Sequence, residues 1–215
     1  MGEGVHTIQS VPKTDRSALR NTDGGMNRQE SFRVNQLEAK IRGRKTEKGY
    51  IVDSNGNVIA ESSKSSAHSA KFYVSDMMKS KDAILTHNHP TEGANSGLYG
   101  TLAGRIGVPF SEQDIKMATQ YNLKEIRAVT PTYTYSIRRP KGGWGDLKKI
   151  ESALRNYKVK AISQTYSYAS RQNLRGQNLQ RQKEISDRAN VGTQYSLLKQ
   201  LAKDMGWEFT RRKVN

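Results

Sequence analysis

The 215-residue chain has no cysteine. That excludes disulfides and thiolate metal ligands, fits a reducing compartment, and leaves imidazoles and carboxylates as the side chains able to hold a metal. There is no run of about 18 apolar residues, which excludes an ordinary membrane-spanning helix, and Met1 to Ser10 lacks the apolar centre of a signal peptide. Hydrophobic residues make up only 34% of the chain, so a core can form but not along its whole length. Acidic residues are also scarce, 20 Asp/Glu against 36 Lys/Arg, for a net charge of +16. This excess predicts attraction to polyanions such as nucleic acid or an anionic surface. It is uneven: Gly145 to Asn215 holds 15 Lys/Arg against 6 Asp/Glu.

The pattern of apolar residues divides the chain into three parts. Residues 1–28 are polar, with no apolar period, and read as a flexible N-terminal arm. Residues 29–144 read as one mixed domain. A helix is predicted over 29–43, with Phe32, Val34, Leu37 and Ile41 as a short apolar stripe. Tyr50-Ile-Val52 and Val58-Ile-Ala60 flank the turn Asp53-Ser-Asn-Gly56 and predict a hairpin. Residues 61–70, rich in Ser and Lys, read as a loop, and 72–79 as a short helix. Ala83-Ile-Leu-Thr86 is a buried strand that Pro90 terminates. The stretch from Thr91 to Phe110, with five glycines, reads as a long loop or lid. A helix then starts at Ser111 with a capping pattern and runs to about Tyr121, followed by strands over 125–129 and 133–137. Residues 145–215 read as a basic helical extension: Leu147, Ile150, Leu154 and Tyr157 fall at helical spacing, 165–190 is helix-compatible but polar, and Tyr195 to Met205 is amphipathic up to Gly206. Trp207 to Thr210 is a possible closing strand.

The chemistry concentrates in two short motifs. Residues i and i+2 of a strand share a face, so His87 and His89 can aim at one ion at a strand end beside a glycine-rich loop. Catalytic zinc commonly takes three protein ligands and leaves one position open. Asp114 is the natural third ligand. Ser111 and Asp114 stand three apart at a helix start, where exposed N–H groups favour an anion. Either motif alone is weak, since isolated His-x-His pairs are mostly surface or core histidines and Ser-x-x-Asp is commonly a helix cap. Their order after an apolar strand strengthens the pair. His68, in the Ser/Lys loop, reads as a surface residue. Tyr166, Tyr168 and Tyr195 read mainly as helix-packing residues, with base stacking as the alternative, and the Arg/Gln-rich stretch 171–183 as a solvated helical face.

The segments "ILTHNHP" and "PFSEQDI" resemble the signature of the JAB/MPN (JAMM) metallopeptidase superfamily. The Asn between the histidines is similar to the RadC-like branch and closer to JAB-like domains of bacteriophage head-morphogenesis proteins. "TEKGYIVDSNGNVI" and "LAKDMGWEFTR" resemble that branch's opening hairpin and closing segment. The likeness spans roughly residues 30–144 and the last fifteen or so. It implies an α/β fold, a cytidine-deaminase-like mixed sheet flanked by helices, here carrying the basic extension. It further implies zinc held by His87, His89 and Asp114, and Ser111 as oxyanion helper. An upstream glutamate would be the acid/base: Glu47, just before the first strand, is favoured over Glu61. The implied function is a zinc-dependent metallopeptidase or isopeptidase of phage or prophage origin, acting on a protein or peptide in the bacterial cytoplasm or the virion. The alternative is a virion structural or internal protein that uses the domain as a binding module, contacting capsid or portal proteins, or DNA through its basic C-terminal region. The spacer Thr91 to Phe110, twenty residues, is longer than the family pattern.

Overall fold

The computed structural model describes residues 25–66, 69–90, 109–171 and 179–214. The expected arm therefore lies almost wholly outside the described residues, as do His68 and nearly all of the glycine-rich loop. Part of 171–183 and the side chains of Tyr166 and Tyr168 are likewise outside them. Among the described residues no helix is long and apolar enough to cross a membrane.

The chain is mixed α/β. Helix α1 (Arg28–Ile41) precedes the hairpin β1 (Gly49–Val52) and β2 (Val58–Glu61). The short strands β3 (Lys64–Ser66) and β4 (Ser69–Lys71), the single-turn helix α2 (Val74–Met77) and β5 (Ile84–Asn88) follow. Then come α3 (Glu112–Gln120), β6 (Glu125–Val129), β7 (Tyr133–Arg138), the long helices α4 (Leu147–Arg171) and α5 (Leu179–Asp204), and β8 (Glu208–Lys213). Six strands form one sheet in the order β2-β1-β5-β6-β7-β8. Only β5 and β6 run parallel, and α3 lies in the crossover between them; the other neighbouring pairs are antiparallel.

Each local choice has a chemical cause. The Asn27 side chain accepts from the Glu30 N–H at 2.9 Å, and the Glu30 carboxylate accepts from the Asn27 N–H at 2.7 Å. This capping box starts α1 one residue before the expected position. In the hairpin, Asp53 Oδ1 accepts from the N–H groups of Asn55 and Asn57, and Gly56 takes φ +79°, a conformation that favours glycine. Gly206, at φ +70°, lets the chain leave α5 and turn into β8.

Helices cover both faces of the sheet. On one face Val34, Leu37 and Ile41 of α1 pack with Tyr50, Val52, Ile84 and Val129. On the other, Ile51, Leu85, Ile126, Ala128, Tyr135 and Ile137 pack with residues of α3, α4 and α5. Ile150, Leu154, Leu198, Leu201 and Trp207 belong to this same core, and β8 pairs along β7. The segment after Trp144 thus contributes both a helical layer and the sixth strand. The indole of Trp144 donates to Leu123 O at 2.8 Å and that of Trp207 to Trp144 O at 3.0 Å, so two bulky apolar rings are buried without leaving a polar atom unmet.

Two sequence expectations need correction. Residues 61–70 are not simply a loop: β3 and β4 pair antiparallel. Serine hydroxyls help tie this ribbon, with Ser66 Oγ and Ser69 Oγ 2.9 Å apart and Ser63 Oγ donating to Lys71 O at 3.2 Å. Backbone pairing here lacks the apolar alternation that normally reveals a strand. Phe32, expected in the core stripe of α1, is 46% exposed; α1 instead buries Glu30 and Glu38 beside Val34, Leu37 and Ile41.

Those carboxylates belong to an ionic layer beneath α1. The Arg127 guanidinium donates to Glu38 Oε1 at 2.6 Å and to Glu125 Oε1 at 2.7 Å. Arg138 reaches Glu125 Oε2 at 3.3 Å and Glu208 at 2.7 Å, and Lys124 reaches Glu30 at 2.7 Å. Arg127 and Glu38 are each only 2% exposed, and Glu125 not at all. Burial alone would pull the Arg127 pKa down; the Glu38 and Glu125 carboxylates outweigh it and raise it.

Candidate metal centre

The site is built on the carboxyl end of β5, the position where open α/β sheets commonly bind ligands. All five residues of β5 are buried. Leu85 and His87 share the face toward α3, while Ile84, Thr86 and Asn88 share the face toward α1. The apolar alternation that anchors the strand thereby fixes the direction of the imidazoles.

Asp114 arrives from α3. Ser111 is the N-cap of that helix and Asp114 is its N3 residue in a reciprocal capping box. Asp114 Oδ2 accepts from both the backbone N–H and the hydroxyl of Ser111, each at 2.7 Å, and Ser111 Oγ accepts from the Asp114 N–H at 3.2 Å. The cap and the carboxylate are thus one unit. Phe110 and Ile115, both buried, seat the start of α3, with the Phe110 ring centre 6.5 Å from that of His87.

These elements bring His87, His89 and Asp114 together. The Nε2 atoms of the histidines are 2.9 Å apart. Asp114 Oδ1 lies 3.3 Å from His87 Nε2, and Oδ2 lies 3.7 Å from His89 Nε2. Four-coordinate zinc with ligand bonds near 2.05 Å requires ligand atoms about 3.3 Å apart. The two Asp114 distances run to different oxygens; one ligand atom from each of the three residues lies within 4.8 Å of the others, and the three residues are 3%, 9% and 9% exposed. This buried donor set fits a divalent cation. Burial alone would raise the Asp114 pKa, but the facing imidazoles outweigh it and hold the carboxylate well below its ordinary range. The third donor is therefore already ionised. Nδ1 of His87 is buried with no hydrogen-bond partner among the described residues.

The two candidate glutamates lie on different faces. Gly49 on β1 is opposite His87, and Asn88 N–H donates to Lys48 O at 3.2 Å. Continuing this antiparallel register puts Glu47 opposite His89, on the sheet face of the imidazoles. Glu61 pairs with Tyr50, which pairs with Thr86, so it belongs to the α1 face. There it is exposed and 3.4 Å from Lys48 Nζ. Glu47 is half-buried, and its N–H donates to Ser66 O at 2.7 Å, so the β3–β4 ribbon steadies the segment that carries it.

Asn88 has a role that sequence reasoning missed. Its side chain points away from the metal donors and clasps the α1–β1 connection. Oδ1 accepts from the Lys48 N–H at 2.7 Å, and Nδ2 donates to Arg44 O at 3.3 Å and Thr46 O at 3.2 Å. The middle residue of His-Asn-His therefore fixes the backbone on both sides of Glu47. Strand alternation was the available signal, since i+1 between two inward histidines must face the other way. A Cβ at Gly49 would stand 2.8 Å from Phe72 Cζ and 3.3 Å from His87 Cβ, so glycine leaves room there for the Phe72 ring beside the site. Tyr195 lies in an aromatic group with Tyr135 and Phe209, the packing role expected of it.

No protein-family model, curated protein or solved structure matches the chain.

Proposed function

We propose that the chain is a zinc-dependent amide hydrolase of JAMM type, acting on a peptide or isopeptide bond. The observation that carries this reading is the buried triangle of His87, His89 and Asp114 donors. A bound zinc ion would supply Lewis acidity and a water of lowered pKa. His87 and His89 would hold it through Nε2 and Asp114 through its carboxylate, three protein ligands that leave room for a fourth. The clustering of the three donors within 4.8 Å supports one shared ion, and a two-imidazole, one-carboxylate set is compatible with zinc as it is with other first-row divalent ions.

Glu47 is the base in this scheme. It takes a proton from the attacking water and returns it to the leaving amine. Its register position opposite His89 supports this role over Glu61, and Asn88 holds it in place through the backbone. Ser111 positions Asp114 through two hydrogen bonds. During turnover its hydroxyl donates to the developing oxyanion, which requires it to turn from the Asp114 carboxylate that it contacts in the resting protein.

The test pairs metal content with turnover. Glu47→Gln keeps about one zinc per chain and loses hydrolysis of a quenched peptide library by at least a hundredfold, the lower range for a general base. The Glu61→Gln control retains it. Full turnover in Glu47→Gln refutes the assignment of the base. Absence of turnover in the zinc-loaded wild-type protein across peptide and isopeptide libraries refutes the hydrolase reading, leaving a metal-bearing binding module.

A further inference from the structure

One rim of the sheet gathers basic residues from opposite ends of the chain. Because β5 and β6 run parallel and the other neighbouring pairs antiparallel, the carboxyl ends of β5, β6 and β8 share this rim with the starts of β1 and β7. The connection from α1 to β1 crosses it, held by the Asn88 side chain at Arg44 O and at the Lys48 N–H. Residues 40–48 hold five Lys/Arg and one Asp/Glu, and β8 ends in Arg211-Arg212-Lys213.

Both segments are tied to the β6–β7 turn. Arg42 donates through Nη1 to Thr130 O and, at 3.0 Å, to Tyr133 O, and through Nη2 to Thr134 Oγ1 at 2.8 Å. The Val214 N–H donates to Thr132 O at 2.9 Å. Arg212 is the register partner of Thr134, so its side chain rises on the same face as the hydroxyl that Arg42 holds. The two cations feel each other: burial lowers the Arg42 pKa, Glu38 opposes that, and Arg212 lowers it further. Residues 130–137 carry no charged side chain. Among the described residues no carboxylate forms an ion pair with the exposed Arg44, Lys45 or Lys213. The opposite rim differs: there Lys124 pairs with Glu30, Arg138 with Glu125 and Glu208, and Arg139 with Asp82. Positive charge left together at one rim and neutralised at the other sets up a one-sided field that attracts an outside anion.

We infer that this rim docks the phosphate backbone of duplex nucleic acid, with Arg44, Lys45, Arg212 and Lys213 as the contacts and Arg42 as the brace that holds the turn between them. Charge density favours this partner over an acidic polypeptide. Three strand spacings from β5 to β8 span about 14 Å. A duplex carries one charge per about 1.7 Å of its axis, so about eight over that length, half of them facing the rim. An extended acidic peptide, with alternate side chains turned away, presents about two. Stacking on a single strand needs open aromatic faces, whereas at this rim Tyr50 is buried and Arg211 covers the Tyr133 ring at 4.8 Å. Phosphate contacts carry no base information, so binding is independent of sequence. This surface does not depend on the amide-hydrolase reading, and its test needs no turnover.

Full-length protein is titrated over a range of salt concentrations against two fluorescent 20-base-pair DNA duplexes of unrelated sequence, a single strand of the same length, and poly-glutamate. The two duplexes should bind equally, and more tightly than the other probes. The triple variant Arg44→Gln, Lys45→Gln, Lys213→Gln should bind duplex at least tenfold more weakly at about 0.1 M salt, and its plot of log affinity against log salt should be shallower by about 2–3. The control Lys79→Gln, Lys81→Gln, Lys141→Gln loses the same charge from exposed positions at the opposite rim and should change affinity less than threefold. Both variants should retain the wild-type circular dichroism spectrum. Equal weakening in the two variants overturns the inference, because net charge alone would then explain binding. So do an unchanged affinity in the first variant, and poly-glutamate or single strand bound as tightly as duplex. A tenfold preference between the two duplexes overturns the backbone-only mode.

Discussion

Replacing Arg127 by Met keeps most of the side-chain volume and removes the cation from the layer beneath α1. Glu38 and Glu125 then face each other with 2% and 0% exposure. Glu125 keeps Arg138 at 3.3 Å, whereas Glu38 keeps the Thr86 hydroxyl at 3.1 Å and the attraction of the half-buried Arg42. Breaking one side of a buried ion pair costs about 3–5 kcal/mol because the remaining charge is stranded. For a chain of this length, each kcal/mol lowers the melting temperature by about 2–4 °C, so a drop of roughly 10 °C is expected at pH 7. The pH dependence identifies the cause. As pH falls toward 5, the stranded carboxylates of the folded variant take up protons that the unfolded chain does not yet bind. Folded protein then binds more protons than unfolded, and its relative stability rises as pH falls. Calorimetry at pH 7 and pH 5 should show the deficit shrinking. The triple variant Glu38→Gln, Glu125→Gln, Arg127→Met should recover much of the loss. A drop of under 2 °C, or a deficit unchanged between the two pH values, would refute an electrostatic origin.

Other perturbations probe the remaining links. Ser111→Ala removes the cap of α3 and a hydrogen bond to Asp114, and should lower stability by about 1 kcal/mol in a denaturant titration while weakening zinc affinity. Asn88→Ala leaves the backbone around Glu47 without its clasp; about 1–3 kcal/mol of stability should be lost, and turnover should fall with zinc still bound. Trp207→Ala, by removing a buried ring from the shared core, should cost about 3–5 kcal/mol, and a chain ending at 144 should give no cooperative melt. Tyr135, whose pKa burial pushes up to about 12, ionises near 10 once unfolded. Stability should therefore decline as pH rises from about 10 to about 12, and Tyr135→Phe should flatten that slope in chemical denaturation series.

The sequence makes the strands and the metal donors legible for the same reason: both depend on short-range periodicity. The apolar run before His87 names a strand, alternation aligns the two imidazoles, and the Ser-x-x-Asp cap carries Asp114 on the first turn of its helix. Residue spacing also finds β6 and β7 to within one residue. What it does not reveal is pairing over long separation. Glu38 and Arg127 are 89 positions apart, and a glutamate on a polar helix face reads as solvated until the opposing arginine is placed. The ribbon β3–β4 is polar throughout and has no apolar alternation to display. Glu47 is favoured over Glu61 from the sequence only by its place before the first strand; the β1–β5 register puts the two on opposite faces.

The central claim is that His87, His89 and Asp114 hold one divalent cation. Its most direct test is the zinc content, by plasma mass spectrometry, of protein loaded with zinc and dialysed, compared with His87→Ala and Asp114→Ala proteins that retain the wild-type circular dichroism spectrum. One zinc per wild-type chain and close to none in either variant is the expected result; full zinc occupancy in the variants, or none in the wild-type protein, would contradict it.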